Sequence, residues 1–176
     1  MGFIDDIEKQ HLSSNAIYDN LKAKLIAVSA SDAYFAEKLH GPIYDENSGA
    51  TRFLLCMIAK ADMTKENKVD LWKQYDSKQY IWSIEHIFPQ GENIPSVWID
   101  MIAGGDKSLA KEYQQKYVHT LGNLTISGYN STLSNKGFIE KRDRKNNAGQ
   151  SIGYKNGLSL NKDLANKDQW TIKDIE

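Results

Sequence analysis

The sequence predicts an α+β fold, mainly helical, carrying one small two-stranded antiparallel hairpin followed by a helix. Three observations lead there. Apolar residues recur at three- and four-residue spacing through much of the first sixty positions. Two short β-prone runs, "YIWSI" (residues 80–84) and "NLTIS" (residues 123–127), stand in the middle of the chain. A turn, "GYNS", and a basic, helix-like stretch follow the second run.

Taken in order, the first helix runs from Ile4 to about Val28, with Ile17, Leu21, Leu25 and Val28 on one face. Ser31 and Asp32 offer a cap for a second helix through Leu39. The segment "HGPIYDENSG" (residues 40–49) reads as a turn-rich connection, and a third helix spans Arg52 to Lys60. Beyond the first strand, helices are expected at Val97 to Met101, stopped by "AGGD", and at Lys107 to Tyr117. One further helix is expected from about Thr132 to Lys145, with Leu133, Phe138 and Ile139 available for packing. Thr171 and Asp174 have the spacing of a capped helix start, yet the chain stops within that first turn, so a longer parent protein is expected. A lone hairpin is barely stable in water. The helical part, 1–78, is therefore expected to pack with the hairpin-bearing part, 79–176, as one compact unit.

Composition removes several classes of function. With 176 residues, 40% hydrophobic and 26% charged, the chain can bury a core. The longest apolar run, "FLLCMIA" (residues 53–59), is too short to cross a bilayer, and the first thirty residues lack a secretory pattern, so a soluble, cytoplasmic protein is expected. A single cysteine, Cys56, excludes an internal disulfide and any multi-cysteine zinc site; its apolar surroundings point to packing. The net charge of −1 argues against a uniformly basic nucleic-acid coat. Charge is nonetheless uneven: residues 1–50 hold four lysines against eight acids, and residues 128–147 hold five bases against two acids. That basic stretch, with Lys136, Lys141 and Arg142, fits phosphate contacts or an ordinary solvated helix face.

The chemistry concentrates in "WSIEHIFPQ" (residues 82–90), where Glu85 and His86 stand at the end of a β-prone run before Pro89. A carboxylate there can bind a hard cation, and an imidazole can take a proton near neutral pH. Asn123 opens the second run, and "YNSTLSNKGFIEKR" follows it. Together these resemble the HNH nucleases of the ββα-metal, or His-Me finger, class. More closely, "IEHIFPQ", "HTLGNLTIS", "YNSTLSNKGFIEKR" and "LNKDL" before a tryptophan, with "TRFLLCMIAK" upstream, resemble the C-terminal nuclease domain of GmrSD-type, modification-dependent restriction endonucleases. Four motifs in the same order make the likeness specific, and it covers about residues 50–176.

The resemblance implies a metal-dependent DNA endonuclease of restriction and antiviral defence, using Mg²⁺ or Mn²⁺, in a parent chain or complex that also holds an NTP-using domain. His86 becomes the general base, and Glu85 the metal ligand where the pattern usually has aspartate. Asn123 ties the hairpin together and orients the His86 segment. Asn130, with Asn135 as runner-up, completes the metal site in place of a histidine, and His119 contacts phosphate or supports the hairpin. An alternative from another class is a nuclease-like fold without catalysis, serving as a DNA-binding or partner-docking module. His11 and His40, with no partner nearby in sequence, read as structural or exposed.

Other patterns fail on spacing. "GGDKS" lacks the glycines of a phosphate loop, no H-E-x-x-H or G-x-S-x-G occurs, and the "NLT" and "NST" sequons need a secretory route to be modified.

Overall fold

A computed structural model describes residues 13–76 and 79–176; His11 and positions 4–12 of the helix expected from Ile4 to about Val28 lie outside them. The chain divides into two compact units, with the boundary between Glu37 and Lys38. In the first, α1 (Ser14–Val28) is capped by Ser13, whose hydroxyl accepts from Ala16 N–H. No residue of α1 is buried, so the apolar face expected there stands exposed. Helix α2 (Asp32–His40) starts at Ser31, whose hydroxyl accepts from Tyr34 N–H at 3.2 Å.

The second unit carries α3 (Ile43–Glu46), α4 (Ser48–Ala61), β1 (Ser83–His86), α5 (Ser96–Ala103), α6 (Lys107–Tyr117), β2 (Leu124–Ser127), α7 (Asn130–Leu133), α8 (Phe138–Asp143), α9 (Lys162–Asn166) and α10 (Ile172–Ile175). Strands β1 and β2 pair antiparallel, with Ile84 opposite Ile126, Glu85 opposite Thr125 and His86 opposite Leu124. Side chains alternate across a sheet. One face is thus Ile84, His86, Leu124 and Ile126; the other is Ser83, Glu85, Thr125 and Ser127.

The apolar face meets a helical layer. Leu124 and Ile126 pack with Leu55, Cys56 and Ala59 of α4. Helix α4 therefore belongs to the same core as β2. Beyond the strand ends, Phe88, Trp98, Phe138, Tyr154 and Trp170 form a second, aromatic core. Trp98 is fully buried, and its indole N–H donates to the Lys136 carbonyl at 2.9 Å, as a buried indole requires.

Local sequence explains the boundaries. Helix α6 starts where the Asp106 carboxylate accepts from the Ser108 and Leu109 N–H groups, and α5 ends at Gly104, which is left-handed at φ 58°. Three expectations are corrected. The first strand begins at Ser83 rather than Tyr80, because the Tyr80 ring lies 3.6 Å beneath the Arg52 guanidinium, which also takes the Trp82 carbonyl at 3.0 Å. Within the turn-rich connection, residues 43–46 form α3. The helix expected over 132–145 is two short ones, separated where Ser134 takes φ 41°.

Candidate active site

At its end, β1 sends adjacent residues to opposite faces, and this gives Glu85 and His86 different surroundings. Glu85 points toward α8, where Lys141 Nζ donates to Glu85 Oε1 at 2.7 Å, to the His86 carbonyl at 2.7 Å and to the Ile87 carbonyl at 3.1 Å. All three ammonium protons therefore have acceptors. The Tyr154 hydroxyl reaches the same carboxylate oxygen at 3.4 Å. Both charged side chains are almost fully buried, at 1% and 2% exposure. Burial raises the Glu85 carboxyl above its ordinary value and lowers the Lys141 ammonium, with the partner's charge opposing in each case.

His86 faces the other way, into rings. Its Nε2 lies 3.1 Å from His119 Nδ1, and Tyr44 of α3 meets it edge-on, with centroids 4.7 Å apart. His86 is pushed down to about 3, first by burial and then by its neighbours His119 and Lys141. The imidazole is therefore neutral at physiological pH, with a lone pair on one nitrogen.

The turn after β1 is held by two amides. Asn123 is fully buried; its oxygen accepts from Phe88 N–H at 2.7 Å, and its nitrogen donates to the Phe88 and Val118 carbonyls, both at 2.9 Å. Gln114 of α6 donates to the carbonyls of Pro89 at 2.8 Å and Gly91 at 2.9 Å. Across the strand end, Asn130 at the start of α7 donates to the Ile84 carbonyl at 2.6 Å, leaving its amide oxygen available. The Ser134 backbone, at φ 41°, is a conformation that costs a non-glycine residue about 1–3 kcal/mol and recurs at functional sites. Asn135 follows it and packs on Gly91, where an added Cβ would fall 2.5 Å from the amide nitrogen.

These pieces enclose a polar cleft of about 170 Å³ lined by Glu85, His86, Pro89, Gln90, Asn130, Ser134 and Asn135. Four of the residues singled out in the sequence thus share one cavity. Among the described residues, no three His, Cys, Asp or Glu side chains cluster as a metal site. One carboxylate and two amide oxygens are nonetheless hard donors that suit Mg²⁺, which keeps several waters, better than zinc, which prefers nitrogen and sulfur.

The other residues lie elsewhere. Lys141, expected as a phosphate contact, is buried against Glu85. Arg142, also expected there, donates to Asp143, to Asp168 at 2.7 Å and to the Lys167 carbonyl at 2.7 Å. Lys136 is partly exposed, 3.4 Å from Glu140. His40 is exposed, and Cys56 is buried in the α4 core. Sequence reasoning missed Tyr44, Asp45, Gln114 and Tyr154. The first two lie in a segment that read as a turn, and nothing in their local pattern pointed to His86.

A mainly helical α+β domain that seats a buried carboxylate and a neutral imidazole at one strand end, beside amide oxygens, has the parts of a hydrolytic site. The family model for the C-terminal domain of GmrSD restriction endonucleases matches residues 28–176, and the chain belongs to that family. No curated protein and no solved structure gives a significant match. This is a restriction-endonuclease domain, and no helix among the described residues is long and apolar enough to cross a membrane.

Proposed function

We propose that this domain hydrolyses phosphodiester bonds of DNA at the Glu85–His86 cleft in the HNH manner, with Mg²⁺ or Mn²⁺. The observation that carries the reading is the gathering of Glu85, His86, Asn130 and Asn135 on one small polar cavity from separate stretches of chain. His86 acts as general base. It takes a proton from water as the water oxygen attacks phosphorus; the P–O bond on the far side breaks, and the leaving oxygen takes up a proton from solvent. Neutral at physiological pH, His86 has the lone pair this step needs.

Lys141 and Tyr154 both engage Oε1 of Glu85, so Oε2, with the amide oxygen of Asn130 or Asn135, would hold the cation. A divalent ion bound there would supply positive charge to offset that of the phosphate and the leaving oxygen. Asn123 and Gln114 act by position: they hold residues 88–91 so that His86 and the cleft wall keep their places. Lys136 remains as a phosphate contact. With Lys141 and Arg142 committed internally and a net charge of −1, much of the affinity for DNA and the choice of foreign, modified DNA belong to an NTP-using part of the same chain or complex.

The test is nicking of supercoiled plasmid by the purified domain with Mn²⁺, Mg²⁺ or EDTA, beside His86→Ala. Metal-dependent cutting that vanishes in the variant supports the reading. Cutting that survives in His86→Ala contradicts it, and DNA binding without cutting in any metal marks a docking module instead.

A further inference from the structure

His86 has two ring nitrogens, and only the unprotonated one can accept a proton. We propose that Asp45 and His119 form a positioning relay that places the His86 proton on Nε2 and leaves Nδ1 as the basic nitrogen. The proposal rests on the reading of His86 as the base.

The geometry permits one consistent chain of neutral rings. His86 Nε2 and His119 Nδ1 lie 3.1 Å apart, so one carries the proton and the other accepts it. His119 Nε2 lies 3.5 Å from Asp45 Oδ1. Facing a carboxylate, that nitrogen carries a proton rather than a lone pair, because a lone pair there would oppose the oxygen's charge. In a neutral ring the other nitrogen, Nδ1, is then the acceptor. It receives the proton on His86 Nε2, and His86 Nδ1 is left with the lone pair. Asp45 thus orients His86 through His119, where the carboxylate of a hydrolytic triad orients its imidazole directly.

The relay is built into the fold. Tyr44 stacks on His119 with centroids 5.3 Å apart and planes 12° from parallel, while it meets His86 edge-on. Its own N–H donates to the His119 carbonyl at 3.2 Å. Helix α3, which carries Tyr44 and Asp45, is fastened to α4 by the Thr51 hydroxyl, which donates to the Ile43 carbonyl at 2.9 Å. One short helix therefore clamps both rings and supplies the carboxylate. His119 consequently has a role in orientation rather than in holding phosphate.

Two measurements test the proposal. Nitrogen-15 NMR of the imidazoles in the whole metal-free chain at neutral pH should show His86 with a protonated Nε2 and a bare Nδ1, and Asp45→Ala should weaken that preference. A His86 proton on Nδ1 in the wild-type protein overturns the relay whatever the activity. In plasmid cutting, His119→Ala should lower kcat by about 10- to 100-fold, a fraction of what a general base contributes, with KM little changed. His119→Asn, whose amide oxygen can stand where Nδ1 was, should recover most of the loss. A raised KM with unchanged kcat overturns the relay and makes His119 a substrate contact. Undiminished cutting by His86→Ala removes the base reading itself, an outcome that the nitrogen spectrum keeps separate from failure of the relay.

Discussion

The two faces of the β1–β2 pair solve opposite problems with neighbouring residues. On one, Glu85 is buried against a cation that meets all its hydrogen-bonding needs nearby. On the other, His86 is buried among rings and another imidazole. The first environment keeps a carboxylate in place by pairing it; the second keeps an imidazole neutral by surrounding it with little that favours a charge. A strand alternates its side chains, so one dipeptide at a strand end can hold an acid and a base a few ångströms apart without their forming an ion pair. Different surroundings, rather than different residue types alone, separate the two roles.

Breaking the ionic face should have the largest effect. Lys141→Met leaves Glu85 and two carbonyls without their donor, and removal of one partner of a buried pair costs about 3–5 kcal/mol. Urea unfolding should show this loss, with part regained in Lys141→Met/Glu85→Met; a loss under about 1 kcal/mol would mean the pair stands in water.

The imidazole face should respond to acid. His86 in the folded chain lies at about 3, below its ordinary value of 6.5, so the unfolded chain takes up this proton first. Its contribution to stability is complete above about pH 6.5 and is lost as pH falls toward 3, at up to about 1.4 kcal/mol per pH unit. The raised Glu85 works in the opposite sense, favouring the folded state once protonated. Urea midpoints between pH 7.5 and 5 should therefore fall more steeply for the wild-type chain than for His86→Asn. Equal slopes would place His86 in solvent.

Smaller effects should come from the shared wall of the cleft. Gly91→Ala puts a methyl group against the Asn135 amide, which can swing away because it ends a flexible side chain. Stability should change by about 1 kcal/mol or less. Cutting should fall several-fold if Asn135 serves the cation and stay unchanged if Asn130 alone does.

Much of this was legible in the sequence. Helix α6 and strand β2 lie where the sequence predicts a helix and a β-prone run, and the Glu85–His86 pair with Asn123 and Asn130 stood out by order and type. What stayed hidden was set by tertiary contact. Tyr80 and Trp82 have strand-forming side chains, but Arg52 draws Tyr80 under its guanidinium and takes the Trp82 carbonyl, so pairing starts later. Lys141 looks like any other base on a polar helix, and lysine is rarely buried without a partner; its partner lies 56 residues away. Asp45 and Tyr44 reach His119 only because α3 is docked on α4.

The most direct test of the division between acid and base is Mn²⁺ titration, followed by electron paramagnetic resonance, of the wild-type chain, Glu85→Gln and His86→Ala. The account predicts that Glu85→Gln loses the bound ion while His86→Ala keeps it with near wild-type affinity. Equal binding by the wild-type chain and Glu85→Gln, or loss of the ion in His86→Ala, would contradict it.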